Sequence, residues 1–304
     1  MDVLIQSLVQ ANFAPERIIP RASMAQYTTF RVGGVADVLV NIASADEIPV
    51  ALSAAKKVDV PVTIIGCGSN LLVRDGGIRG LVLRISSAMS AIRRVGDDLI
   101  AEAGAPLGAI AAFARDEGLC GMAELAGIPG TIGGGVVMNA GAYGTELAQI
   151  VSSVDCVSLH NGKPVHYSAD KLDFSYRHSA LMDANVVAAQ VTLSLKAGDP
   201  QAIRARMEEC AAMRREKQPL NYPSAGSTFK RPEGYFAAKL IDDCGLRGLT
   251  VGGAQVSEKH AGFIVNIGGA TASDILELMR QVEQRVFEQF GVHLEPEVRI
   301  LGED

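Results

Sequence analysis

Three segments of small residues are the parts of this sequence best suited to chemistry. Residues 224–232 read Ser-Ala-Gly-Ser-Thr-Phe-Lys-Arg-Pro, a polar loop that ends in two cations and a proline. Residues 66–70 read Gly-Cys-Gly-Ser-Asn, and residues 126–135 contain five glycines. Glycine allows a backbone to approach a ligand closely and to turn its N–H groups toward an anion. The pattern predicts a cradle for a phosphate-bearing cofactor and a separate reactive loop.

Composition limits the functions that these loops can serve. The chain has 304 residues and a net charge of −6, which predicts two or three sub-structures and argues against nucleic acid or a membrane surface as partner. Its five cysteines are widely spaced, and neither they nor the histidines show metal-ligand spacing, so we expect reduced thiols and no metal site. No signal peptide or membrane span is recognisable, so a cytoplasmic protein is expected.

The order of elements around Gly66 excludes two common nucleotide-binding designs. The pattern predicts a strand over 35–41, a helix over 45–58 and a strand over 60–65 that enters the glycine loop. A Rossmann turn needs a helix next, but Leu71 begins a short apolar strand, and the P-loop pattern is missing from the chain. Alone, the Gly66 loop could be a turn without a ligand. The second glycine segment, which follows a predicted helix over 107–117, favours a ligand.

The motifs around these loops resemble a known family. The glycine segments, together with Asp75-x-Gly77 and Asn139-x-Gly141-Ala-Tyr-Gly144, resemble the FAD-binding domain of the vanillyl-alcohol-oxidase superfamily. From about residue 28 to the C-terminus, the chain more narrowly resembles the UDP-N-acetylenolpyruvoylglucosamine reductases. Four further motifs carry that resemblance: Thr29-Phe-Arg-Val-Gly-Gly34, Tyr176-Arg177-His-Ser179, Gly226-Ser-Thr-Phe-Lys-Arg-Pro232 and Leu294-Glu-Pro-Glu-Val-Arg299.

The resemblance implies an α+β fold with two functional parts. Residues 1–200 would form a two-lobed FAD-binding domain of the PCMH type, with lobes at about 1–80 and 81–200. Residues 201–304 would form a smaller α+β substrate-binding domain, whose C-terminal strand returns to the active site. The sequence between Arg177 and Ser227 lacks the insertion of the longer subfamily, so the chain resembles the shorter, second type.

The resemblance also implies a reaction and the residues that serve it. NADPH would reduce noncovalent FAD, and the flavin would then reduce UDP-N-acetylglucosamine enolpyruvate to UDP-N-acetylmuramate for peptidoglycan synthesis. Ser227 would donate the proton, while Arg177 and Glu297 would polarise the substrate carboxylate. The residues that the resemblance assigns to FAD are Gly66, Gly68, Ser69, Asn70, Leu71, Gly127, Ile128, Pro129, Gly130, Thr131, Gly133, Gly134, Asn139, Gly141 and Ala142.

Cations are expected to bind the substrate, and several assignments stay open. Lys217, Lys230 and Arg231 are the candidates for the substrate, with Arg214 as a further one, although the family often has Asn where Arg231 stands. Glu295 competes with Glu297, because alternate residues of the expected C-terminal strand share a face.

Two other functions also remain open. The first is an FAD-dependent oxidase or dehydrogenase of a hydroxy acid or a sugar. The second is a noncatalytic protein that binds a nucleotide sugar. For the enzyme, the expected partners are the nucleotide-sugar substrate and NADPH, and the expected state is a monomer.

Overall fold

The computed structural model describes all 304 residues, which form seven α-helices and 18 β-strands. The helices are α1 (Asp2–Gln10), α2 (Glu47–Lys57), α3 (Leu107–Asp116), α4 (Ile132–Val137), α5 (Pro200–Lys217), α6 (Ala237–Asp243) and α7 (Ala272–Phe290). The strands are β1 (Ile18–Ser23), β2 (Val35–Ile42), β3 (Val62–Ile65), β4 (Leu71–Val73), β5 (Ile78–Ile85), β6 (Ile92–Val95), β7 (Asp98–Glu102), β8 (Leu119–Cys120), β9 (Gly141–Ala142), β10 (Thr145–Glu146), β11 (Val151–Ser158), β12 (Pro164–Ser168), β13 (Val186–Ser194), β14 (Lys196–Ala197), β15 (Thr250–Val251), β16 (Ala254–Val256), β17 (Ile264–Asn266) and β18 (Arg299–Leu301). This mixture confirms the expected α+β class.

The chain divides into two compact units, each with its own hydrophobic core. The first unit comprises Met1–Pro20, Val38–Cys67 and Gly80–Arg214. The second comprises Arg21–Asp37, Gly68–Arg79 and Arg215–Asp304. These units differ from a single division near residue 200, because two short N-terminal segments belong with the C-terminal part of the chain.

The first unit is built around two sheets. One sheet has four strands in the order β1-β2-β5-β3, with β3 and β5 parallel, and the other has five antiparallel strands in the order β12-β11-β13-β7-β6. Helix α2 buries Ile48, Ala51 and Ala54 at helical spacing, and Lys56 and Lys57 in its last turn suit the negative end of the helix dipole. The expected helix and strands before Gly66 are therefore confirmed.

The second glycine segment differs from the expected open loop. Residues 132–137 form helix α4, which packs closely on its neighbours. An ideal Cβ on Gly133 would lie 2.8 Å from Ala103 Cβ, and one on Gly135 would lie 3.0 Å from Leu147 Cδ1. Two of the five glycines are thus explained by helix packing, since a side chain at either position would force the neighbours apart.

The second unit joins segments that are far apart in the sequence. Strand β4 pairs in parallel with β18, so that Leu71 lies opposite Arg299. A three-stranded antiparallel sheet, β15-β16-β17, and helices α6 and α7 complete the unit. Glu297 was expected to lie within the C-terminal strand. The strand begins only at Arg299, so Glu297 precedes it. An isolated bridge pairs Phe229 with Pro296, and the N–H groups of Lys230 and Glu297 make the hydrogen bonds on either side of it.

Asp75 ties β4 to the start of α7 and gives one residue of the predicted flavin motif a structural role. Its carboxylate accepts hydrogen bonds from the backbone N–H groups of Ala272 and Ser273 and from the Ser273 hydroxyl. Burial tends to raise the pKa of Asp75, but these hydrogen bonds outweigh burial and hold the pKa below its ordinary value. Asp75 thus caps the start of α7, in addition to the capping box that Thr271 and Asp274 form there.

We expect Asp75→Asn to destabilise the protein by about 1–2 kcal/mol at neutral pH, because it removes a charged cap from a helix start. The lowered pKa means that this contribution is present above the pKa of the unfolded chain and is lost as the pH falls through the folded pKa. Urea unfolding of both proteins between pH 7 and pH 3 measures the difference. The control is Asp46→Asn, since Asp46 caps α2 without a side-chain hydrogen bond. An equal loss in both variants would contradict this role for Asp75.

Candidate active site

The two predicted glycine loops meet within the first unit. An ideal Cβ on Gly66 would lie 2.9 Å from the hydroxyl oxygen of Thr131, closer than real Cβ contacts allow. Thr131 is 2% exposed, and it is the N-cap of α4. Segments that are more than 60 residues apart in the sequence therefore lie in direct contact, and the contact requires glycine at position 66.

Both loops leave backbone donors without a partner in the protein. The five N–H groups from Gly66 to Asn70 donate no hydrogen bond to another protein atom. The same holds for the N–H groups of Gly130, Thr131 and Gly134 in the second loop. Of these residues, Gly134 is exposed and the others are buried or half-buried. Buried or half-buried N–H groups are almost always paired in folded proteins, so a run without partners indicates an external acceptor. An anionic group such as a diphosphate supplies several acceptor oxygens at once.

A cation lies beside the second loop. An ideal Cβ on Gly127 would lie 3.0 Å from Nη1 of Arg214, so the guanidinium packs directly over this glycine. Burial lowers the pKa of Arg214, and the nearby Tyr143 opposes that lowering. An arginine still keeps its charge at neutral pH. Arg214, which the sequence suggested only as a further substrate residue, thus lies at the predicted cofactor loop.

Two residues that the resemblance assigned to FAD are held by the protein itself. The side-chain amide of Asn139 makes three hydrogen bonds, to Glu146, to the Ser175 carbonyl and from the Ala148 N–H. An ideal Cβ on Gly141 would lie 2.7 Å from Glu146 Cγ, so the hairpin of β9 and β10 needs glycine there. Contacts within the protein are therefore sufficient to explain why asparagine occurs at position 139 and glycine at position 141.

Arg177 lies at the tip of a tight turn in the first unit. Ser175 and His178 exchange two backbone hydrogen bonds, which places Tyr176 and Arg177 at the two central positions. Arg177 has a φ of 57°, an uncommon backbone conformation for a residue other than glycine. Its guanidinium carbon lies 4.8 Å from the centre of the Tyr176 ring. A non-glycine residue held in this conformation is a feature that often accompanies functional sites.

Thr228 links Ser227 and Glu297 in the second unit, because it follows Ser227 in the chain and is hydrogen-bonded to Glu297. The Thr228 carbonyl accepts a hydrogen bond of 2.8 Å from the Glu297 N–H, and the Thr228 N–H donates to the Gly262 carbonyl. The fully buried Thr228 hydroxyl accepts a hydrogen bond from the Ile264 N–H. These bonds hold the backbone of Glu297 and of Thr228, the neighbour of Ser227, and the half-buried Ser227 hydroxyl makes no hydrogen bond within the protein.

Residues 68–70 of the first glycine loop belong to the second unit. The side-chain amide of Asn70 donates a hydrogen bond of 3.1 Å to the backbone carbonyl of Glu297. The backbone carbonyl of Asn70 accepts a hydrogen bond from the Arg299 N–H. Two predicted site residues, Asn70 and Glu297, thus share one hydrogen-bonded cluster with Thr228, the neighbour of Ser227 in the chain. Gly68 has a φ of 66°, and its carbonyl accepts from the Thr29 N–H, which gives a structural role to the Thr29 motif.

The competing glutamate and the predicted substrate cations have different surroundings. Lys230 pairs with Glu295 at 3.2 Å, and both side chains are solvent-accessible, whereas Glu297 is half-buried. This difference favours Glu297 as the functional carboxylate. Arg231 lies over the Phe236 ring with its guanidinium carbon 3.8 Å from the ring centre, and Lys217 is exposed at the last residue of α5.

The structure offers neither a reactive thiol in the first glycine loop nor a metal site. Burial raises the pKa of the Cys67 thiol, although Arg84 opposes the effect, so the thiol stays protonated at neutral pH. The structure contains no cluster of three or more His, Cys, Asp or Glu side chains that could hold a metal ion. None of its helices is both long and apolar enough to span a bilayer.

Comparisons with known proteins cover almost the whole chain. A family model described as FAD binding domain matches residues 36–168, and one described as UDP-N-acetylenolpyruvoylglucosamine reductase, C-terminal domain, matches residues 218–301. The UDP-N-acetylenolpyruvoylglucosamine reductase of Pediococcus pentosaceus is 48% identical over 299 residues, which are 98% of this chain and 99% of the relative. That of Clostridium novyi is 46% identical over 99% of this chain and 97% of its own length.

A solved structure agrees with the sequence relatives. The crystal structure of the reductase from Thermus caldophilus superposes with a TM-score of 0.80 at 36% identity, over 93% of this chain and 98% of that one. Together with the FAD-binding family model, this match confirms the predicted fold class. The chain therefore belongs to the UDP-N-acetylenolpyruvoylglucosamine reductase family.

Proposed function

We propose that this chain reduces UDP-N-acetylglucosamine enolpyruvate to UDP-N-acetylmuramate with NADPH as reductant and bound FAD as carrier, a step in peptidoglycan precursor synthesis. The observation that carries the proposal is the contact of two glycine loops whose N–H groups lack partners, in a chain that matches reductases over nearly its full length. The two alternatives, another flavin oxidase and a noncatalytic binder, do not account for the reductase-specific match over 218–301.

The residues of the glycine loops fit FAD. The unpartnered N–H groups of both loops suit the diphosphate, and the guanidinium of Arg214 adds a positive charge beside Gly127. Gly134 is exposed, and an ideal Cβ there would make only an ordinary contact of 3.7 Å, so helix packing does not require glycine at this position. When bound, FAD supplies the two-electron chemistry that links NADPH to the enolpyruvyl double bond.

Arg177, Ser227 and Glu297 would then act on the substrate. Hydride addition to the terminal carbon leaves negative charge on the adjacent carbon, and the charge spreads into the neighbouring carboxylate. Arg177 would neutralise that carboxylate, since a guanidinium matches it with two parallel hydrogen bonds. Ser227 would give a proton to the carbon, and its hydroxyl makes no competing hydrogen bond within the protein. Glu297 would help to polarise and orient the reacting group.

Surface cations of the second unit are candidates for the uridine diphosphate. The Lys230–Glu295 pair is exposed, and such pairs contribute little stability, so Lys230 can exchange Glu295 for a phosphate at small cost. Lys217 and Arg231 complete the proposed set. We further propose a metal-independent monomer that works in the cytoplasm, where a reducing environment suits its five free thiols.

The purified protein should be yellow, with FAD held noncovalently. No histidine lies in either glycine loop, and the Cys67 thiol is held protonated by burial, so neither residue type offers a ready covalent attachment. Acid precipitation followed by absorption spectroscopy of the supernatant measures the released flavin. Flavin that remains in the pellet would show a covalent link, and a colourless protein that binds no added FAD would remove the enzyme proposal.

Ser227→Ala should separate the two halves of the reaction. Binding of FAD and its reduction by NADPH should stay near normal, because neither step uses the hydroxyl. Reoxidation by the enolpyruvyl substrate should slow by about 10²–10⁴-fold or more, the range expected for the loss of one general acid. Ser227→Cys should recover part of this loss, since it restores a proton donor.

Stopped-flow absorption at the flavin band measures both half-reactions. The control is Ser224→Ala, which removes a hydroxyl from the same loop and should change neither rate appreciably. Equal slowing of both half-reactions in Ser227→Ala would mean that the loop only shapes the pocket, and Ser227 would lose its role as the acid.

A further inference from the structure

Asn139 occupies a buried position directly after α4 and uses its whole amide on the protein. It is 1% exposed and has a φ of 44°. Its Nδ2 donates to Glu146 Oε2 at 3.0 Å and to the Ser175 carbonyl at 2.9 Å, while its Oδ1 accepts from the Ala148 N–H at 2.9 Å. An asparagine amide has two N–H donors, and both are engaged. The side chain therefore has no donor left for a ligand.

The bond to Ser175 holds one end of the turn that carries Arg177. The other end is held separately, because the Ser179 hydroxyl, which is fully buried, donates to the Val137 carbonyl at 3.0 Å. Both tethers come from the end of α4, the helix that begins at the second glycine loop. Tyr176 and Arg177 thus project from a turn that is fixed on both sides to one helix end.

We propose that Asn139 is a positioning residue, which fixes the Ser175–His178 turn and so places the guanidinium of Arg177. This inference rests on the proposed function for the role of Arg177, and it gives the Asn139 side chain a role other than the cofactor binding that the resemblance assigned to Asn139. The physical basis is the sensitivity of charge stabilisation to geometry, since a displacement of about 1 Å can cost about 10²-fold in rate.

Asparagine is the residue type that this position requires. Among residues other than glycine, asparagine is one of the few that readily adopt a positive φ. Aspartate would also tolerate the backbone, but its carboxylate would face the Glu146 carboxylate and the Ser175 carbonyl with no proton to donate. Two unfavourable contacts would replace two hydrogen bonds, so the turn would lose its tether.

The test uses Asn139→Gly, which keeps the backbone conformation free of strain and removes the amide. We expect the reoxidation of reduced flavin by the enolpyruvyl substrate to slow by about 10–10²-fold, as a misplaced charge stabiliser predicts. Flavin affinity and flavin reduction by NADPH should remain close to those of the wild type. Asn12→Gly is the matched control, because Asn12 also has a positive φ but is exposed and makes no side-chain hydrogen bond. A loss of flavin affinity in Asn139→Gly would support direct cofactor binding and overturn the proposal.

A double-mutant cycle with Arg177→Lys separates positioning from a general structural effect. If Asn139 acts through Arg177, adding Asn139→Gly to Arg177→Lys should slow reoxidation much less than it slows the wild type. Independent, additive losses would contradict the proposal. Should Asn139→Gly fail to fold, Asn139→Asp keeps the size of the side chain while removing both donors, and the same pattern is expected.

Hydrogen exchange tests the positioning claim without any substrate. The His178 N–H donates to the Ser175 carbonyl within the turn, so its exchange should accelerate in Asn139→Gly, while exchange in β11 stays unchanged. Unchanged exchange across 172–180 would overturn the proposal whatever the activity. A wild-type protein that never turns over the enolpyruvyl substrate would instead refute the proposed function, and the exchange result would still decide whether Asn139 holds the turn.

Discussion

Backbone N–H groups that the fold leaves without partners are the constraint on which the proposed site depends. They occur in two loops that touch through Gly66 and the Thr131 hydroxyl, a contact with no room for a Cβ. Such donors are costly to bury unless a ligand supplies the acceptors. The tight packing of Gly133 and Gly135 holds the second loop in place, so the core of the first unit positions the cradle.

In the second unit, hydrogen bonds hold the backbone around the side chains that we propose to react. Thr228 is buried and hydrogen-bonded to Gly262, Ile264 and Glu297, and its carbonyl holds the Glu297 backbone. Ser227 precedes this fixed residue in the chain, and its hydroxyl makes no hydrogen bond within the protein. A hydroxyl beside a rigid backbone is the arrangement that preorganised catalysis requires, because little reorganisation remains when charge develops.

The sequence predicted what depends on local pattern. The strands and helix before Gly66, the missing Rossmann helix and the fold class all follow from periodicity, glycine positions and the family motifs. It could not predict what depends on long-range pairing, such as the discontinuous second unit created by β4 and β18 or the cap that Asp75 gives to α7. The hydrogen-bond partners of Asn139 could not be predicted for the same reason, since they lie up to 36 residues away.

The affinity of the apoprotein for FAD in Gly66→Ala tests the central claim most directly. The added methyl group would press against Thr131 and displace the donors of both loops, without imposing an unfavourable φ. Isothermal titration with FAD should show affinity weakened by about tenfold or more, in a variant whose circular dichroism matches the wild type. A folded variant that binds FAD with unchanged affinity would contradict the assignment of these loops as the cofactor cradle.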